Sequence, residues 1–84
     1  MRLSQAQEKI YNEIPDIKVI YCIMTGLSYR KIGVKFYGYR TGKFVYQVRK
    51  LLKQFNLLNR RQLAYFAVKN NLVNYDKLKE YINA

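Results

Sequence analysis

The stretch from Gly26 to Phe55 constrains this chain most. Within it Phe44, Val48, Leu51 and Phe55 recur at i, i+4, i+7 and i+11, with Leu52 beside them. That spacing predicts a helix from about Thr41 to Phe55 with one apolar stripe. Lys43, Tyr46, Gln47, Arg49, Lys50 and Lys53 fill its other arc, and no acid shares that arc. One face is suited to a protein scaffold. The other is long-armed, cationic and hydrogen-bonding, as a helix in the DNA major groove requires.

The rest of the chain reads as further helices around this one. Ser4 and Gln7 form a capping box for a helix over 3–14, with Ala6, Ile10, Tyr11 and Ile14 as its inner stripe. Pro15 ends or kinks that helix, since proline disfavours helical geometry in the residue before it. A helix over 17–25 carries Val19, Ile20, Ile23 and Met24 on more than one side and is the expected central core helix. Gly26 stops it. Ser28 caps a third helix over 29–36, with a Leu27–Ile32 hydrophobic staple. Ile32 and Phe36 point in, and Arg30, Lys31 and Lys35 point out. The segment FYGYRTG is a turn to which Gly38 and Gly42 give freedom. Asn59 and Gln62 form the next capping box, Leu58 is expected to staple to Leu63, and the helix runs to about Asn70. Phe66 and Ala67 lie on its inner side, Tyr65 and Val68 on the other. Leu78 and Ile82 indicate a short closing helix over 75–82. No β alternation competes, so the expected fold is all-α, a small bundle of five to six helices containing a helix-turn-helix.

Charge narrows the function. The formal net charge is +11, and all five acids lie near the ends: Glu8, Glu13, Asp16, Asp76 and Glu80. From Ile17 to Tyr75 there is no acid but there are twelve Lys or Arg. Oppositely charged i,i+4 pairs stabilise exposed helices, and leaving them out costs self-repulsion. A polyanionic partner makes sense of that pattern. An ordinary basic surface is the alternative. The chain has no His, so it lacks the commonest general base and metal ligand. With no paired acids in the central region and no Gly-rich phosphate loop, an enzyme is not expected. No cofactor or metal is expected either. The lone Cys22, in the apolar run VIYCIM, reads as a buried inert thiol. No apolar run approaches the ~20 residues of a membrane span, and no signal-peptide core is present. A soluble cytoplasmic protein is expected.

Gly26-Leu27-Ser28 followed by Ile32 resembles the opening of the LuxR/GerE-type helix-turn-helix. Phe44, Val48, Leu51 and Leu52 sit where that family places apolar recognition-helix residues. Asn59-Arg60-Arg61-Gln62-Leu63, then Ala67, then Leu72-Val73 are similar to its last helix and terminal Leu-Val. The resemblance covers about 17–73 of a single DNA-binding domain over 1–84, flanked by an extra helix at 3–14 and a short one in 74–84. It implies a stand-alone transcriptional regulator of the GerE layout. It also implies that the helix at 41–55 enters the major groove and that the helix near 59–70 forms a homodimer interface, with Tyr65 and Val68 as interface candidates. The chain departs from the family in three ways: a turn one residue longer near Gly38, Arg40 where a Ser cap is usual, and Val45 at a frequently basic position. Thr41 is expected to take over the capping. GLSYRKIG is also similar to the start of region four of sigma factors, which implies contact with RNA polymerase as well as DNA.

Lys43, Tyr46, Gln47 and Lys50 are the base-contact candidates, because Gln can pair with adenine and Lys can reach guanine acceptors. Arg30, Lys31, Lys35, Arg40, Thr41, Arg49 and Lys53 are phosphate-contact candidates, since most contacts in such interfaces go to the backbone. Arg60 and Arg61 join them. Cations at a helix N-terminus oppose the dipole, which a nearby phosphate would relieve. The nine tyrosines could stack on single strands, but most are spaced as core or boundary residues. RNA or single-strand binding, an adaptor for an acidic protein, and a basic membrane-surface helix are the other readings.

Overall fold

A computed structural model describes residues 3–84 and contains six helices. They are α1 (Gln5–Glu13), α2 (Lys18–Met24), α3 (Tyr29–Phe36), α4 (Thr41–Gln54), α5 (Arg60–Lys69) and α6 (Tyr75–Ile82). No strand occurs among the described residues. The all-α expectation holds, with the upper of the two helix counts.

Caps set most of the boundaries. Ser4 Oγ accepts from the Gln7 amide while Gln7 Oε1 accepts from the Ser4 amide, so two otherwise orphaned donors are satisfied. Ser28, Asn59 and Asn74 accept from the amides three residues on. At the other ends, Gly26, Gly38, Asn56 and Asn71 adopt positive φ and close the C-termini of α2, α3, α4 and α5. These are the residue types that tolerate this geometry best. Ile14 is extended before Pro15, as proline demands, and α1 stops there.

The core is built on α2. Val19, Ile20, Tyr21, Cys22 and Ile23 are all buried, so this short helix is covered on several sides. Ile32 of α3, Phe44, Val48 and Leu51 of α4, Leu63 and Ala67 of α5, and Leu72 complete the cluster. A fully buried side chain of the Leu, Ile or Phe class contributes ~1.5–3 kcal/mol. A set of this size supplies the drive that a chain of 84 residues needs. The α3–α4 pair is the most closely packed in the molecule. Gly33 is the reason. A Cβ built there would lie 2.1 Å from Thr41 Oγ1 and 2.7 Å from Thr41 Cα, so only glycine lets the two helices cross at this distance. Tyr37–Arg40 connect them. Gly38 does supply the expected freedom, at φ +57°. Gly42 does not, because it lies inside α4 with open space around it.

Several local expectations fail on packing. Leu58 is 82% exposed, so no staple forms with buried Leu63. The Gln62 side chain accepts from the Leu58 amide rather than from the cap residue. Thr41 does not cap α4: it is the first helical residue, and Arg40 occupies the cap position without a side-chain bond. Ala6 and Tyr11 are exposed, and α1 buries none of its own residues. It is held by Ile10, by Ile14, and by Gln54 Nε2 donating to the Glu13 carbonyl at 2.8 Å. In α6 the anchor is Tyr81, stacked on Tyr21 with centroids 5.1 Å apart, while Ile82 is half exposed.

Candidate nucleic-acid interface

The stripe that buries Phe44, Val48 and Leu51 turns the opposite arc of α4 outward. Lys43, Tyr46, Arg49, Lys50 and Lys53 are exposed along it, with Tyr46 near its middle. On α3, Arg30, Lys31 and Lys35 are exposed around Val34 and, with Leu27 and Ser28, line a shallow open groove. Arg40 is exposed in the turn between the two helices. Arg61 is exposed on α5.

Gln47 stands apart from the other base-contact candidates. It is half buried, and its Oε1 is enclosed without a hydrogen-bond partner. It lines a cleft of about 310 Å³ between α4 and the Pro15–Asp16 corner. Lys43, Tyr46 and Lys50 line the same cleft, floored by Val19 and Leu51. The arc is therefore not free of acids in space. Asp16, remote along the chain, shares the cleft with Lys43 and Lys50. One oxygen of its carboxylate is occupied by the Lys18 amide at the start of α2.

Two of the twelve central cations serve the fold. Arg60 Nη2 donates to the Ile23 carbonyl at 2.8 Å, and its guanidinium lies 5.2 Å from the Tyr29 ring centroid. It braces α5 against the C-terminal end of α2, an internal task that sequence reading assigned to a phosphate. Lys18 Nζ donates to the Phe36 carbonyl at 2.8 Å, where a cation complements the C-terminus of α3. It also sits 4.6 Å from the Tyr37 ring centroid. The other ten cations (Arg30, Lys31, Lys35, Arg40, Lys43, Arg49, Lys50, Lys53, Arg61 and Lys69) are exposed. Thr41 is half buried against Gly33, so little of it is presented to a ligand.

The tyrosines divide differently from their spacing. Tyr21 is buried, and Tyr29, Tyr37 and Tyr81 are half buried, but Tyr11, Tyr39, Tyr46, Tyr65 and Tyr75 are exposed. On α5 the dimer candidates Tyr65 and Val68 are 69% and 59% exposed, so α6 does not cover them. Leu58, just before the cap of that helix, is exposed as well.

Cys22 is fully buried, and burial pushes its thiol up from 9.0 to about 11. Burial also raises Tyr37 and Tyr81 above the usual phenol value. Among the described residues no three His, Cys, Asp or Glu side chains gather as a metal site. None of the described helices is long and apolar enough to cross a membrane. Comparison with protein-family models, curated proteins and solved structures gives no match.

Proposed function

We propose that the chain binds double-stranded DNA, with α3 and α4 acting as a helix-turn-helix and the outer arc of α4 entering the major groove. One observation carries the reading: ten exposed cations on a segment without a single acid, four of them on α4 itself. Lys43, Tyr46 and Lys50 meet base edges, and Gln47 joins them by rotating out of its cleft. Arg30, Lys31, Lys35, Arg40, Arg49, Lys53 and Arg61 meet phosphates. The buried stripe of α4 fixes the reading face against α2, and Gly33 fixes the angle between α3 and α4. In this reading the protein is a transcriptional regulator acting in the cytoplasm.

The same reading gives α5 an assembly role. Leu58, Tyr65 and Val68 are uncovered, and two copies meeting about a two-fold would bury them isologously. So small an apolar face supports a weak dimer, completed on DNA.

Fluorescence anisotropy on random duplexes across a salt series tests the central claim. Each neutralised phosphate contributes a slope of about −0.9 in log K against log[salt]. With the seven phosphate contacts named above the slope is about −6. A flat salt dependence overturns duplex binding, and tighter binding to single strands or RNA transfers the reading to those partners. Selection from a random duplex pool then gives the site, which a dimer makes palindromic. Co-purification of RNA polymerase with the chain would favour the sigma-region-four alternative.

A further inference from the structure

Five described residues have positive φ: Gly26, Gly38, Tyr39, Asn56 and Asn71. Four are the types that accept this backbone without strain. Tyr39, at φ +70°, is the exception, and a bulky side chain there is a genuine outlier.

The fold gains nothing from the ring. The amide of Tyr39 donates to the Gly33 carbonyl at 2.9 Å, a bond that Gly or Asn would make equally well. The side chain is 79% exposed. Among the described residues its ring takes part in no aromatic or cation–π pair. Tyr39 immediately follows Gly38 and precedes Arg40, at the entry to α4. No acid lies within more than twenty residues of it in either direction. A ring held outward at a backbone cost, in a stretch of chain whose only charged residues are cations, fits a polyanion that also offers a flat apolar surface.

We infer that Tyr39 is a contact residue of the nucleic-acid surface, its ring laid against sugars and base edges of the duplex beside the phosphate met by Arg40. This rests on the duplex-binding reading above. A tyrosine suits the task, because it presents a large rigid area with only two rotatable bonds to fix.

Three proteins test the inference: wild type, Tyr39→Asn and Tyr39→Phe. Thermal melts are run on each, and duplex binding is followed by anisotropy across a salt series. Asparagine relieves the backbone, so Tyr39→Asn is expected to melt about 4–8 °C higher. It also loses the ring, so its duplex affinity is expected to fall about fivefold or more. The salt slope stays that of the wild type, because no cation is removed. Tyr39→Phe keeps wild-type affinity to within about twofold. A more stable protein that binds less well is the signature. Equal affinity of Tyr39→Asn and wild type overturns this inference alone. So does a melting point at or below wild type, or a changed salt slope, which would trace the loss to displaced cations. Absence of duplex binding by the wild-type chain overturns the duplex reading and this inference with it.

Discussion

Gly33→Ala sets two effects of opposite sign against each other. In an unobstructed helix the change stabilises by ~1 kcal/mol, because alanine is the better helix former. Here the new methyl carbon would sit 2.1 Å from Thr41 Oγ1, 2.8 Å from Thr41 Cβ and 2.7 Å from Thr41 Cα. Rotating the threonine side chain moves the oxygen but leaves the other two atoms in place. A carbon pair is comfortable only at about 3.5–4.0 Å, so the backbones of α3 and α4 must part by about 1 Å. Ile32 and Phe44, both 0% exposed, lie at that junction and lose close packing as it opens. Overpacking of this kind costs ~1–3 kcal/mol, occasionally more, and a backbone obstacle places it at the upper end. The net expectation is a loss of ~2 kcal/mol after the propensity gain. For a domain of this size that lowers Tm by about 8–16 °C. Urea and thermal denaturation followed by circular dichroism measure it directly. Thr41→Gly in the same chain removes Oγ1 and Cβ but not Cα, so it restores part of the loss and gives a coupling of ~1 kcal/mol in a double-mutant cycle. If Gly33→Ala melts at or above the wild type, the helices do not cross at Gly33 and the argument from close approach is wrong.

Leu51→Ala should cost ~2–5 kcal/mol, the range for a buried leucine, since Leu51 is 3% exposed on the inner stripe of α4; a wild-type melt would show that α4 is phased differently. The Cys22 thiol rises from 9.0 to about 11 through burial, so the folded state holds its proton more tightly than the unfolded chain does. Its contribution to stability is complete below about pH 9 and declines as pH climbs towards about 11, with Tyr37 and Tyr81 shifted in the same direction. Denaturation midpoints across that range, and labelling by a thiol reagent at pH 8 no faster than global unfolding, check both halves of this. Val68→Glu alters a residue 59% exposed, so it should keep the fold and non-specific duplex affinity while losing cooperative binding to a two-half-site duplex. Cooperativity retained by the folded variant takes α5 out of the dimer interface.

Features that depend on near neighbours in the chain were legible. Ser4, Ser28 and Asn59 each satisfy an amide three residues away, and such spacing is visible in sequence. The α4 stripe was equally plain, because its period is a property of one helix. The misses depend on distant partners. Arg60 meets a carbonyl 37 positions away, and nothing around it distinguishes a brace from a free cation. Asp16 reaches the α4 cleft only because Pro15 turns the chain there. Leu58 fitted the staple pattern, yet its side chain stays in solvent. Gly33 had left a signal: a glycine inside a helical stretch usually marks a close approach. Tyr39 had not, because only the fold reveals its positive φ.

The light attachment of α1 has a kinetic consequence. Its lasting ties are Ile10, Ile14, the Gln54–Glu13 bond and a 3.3 Å bond from Asn71 Nδ2 to Gln7 Oε1. Releasing them exposes far less apolar surface than opening α2, where five consecutive residues are buried. Subglobal openings of this kind need only a fraction of the global unfolding free energy. Amide protons of α1 should therefore exchange with solvent deuterium well ahead of those in α2 and α4, with Pro15 marking the boundary between fast and slow segments. During each such excursion Gln54, which lines the cleft beside Gln47, loses its bond to the Glu13 carbonyl, so the rim of that cleft is freed from time to time.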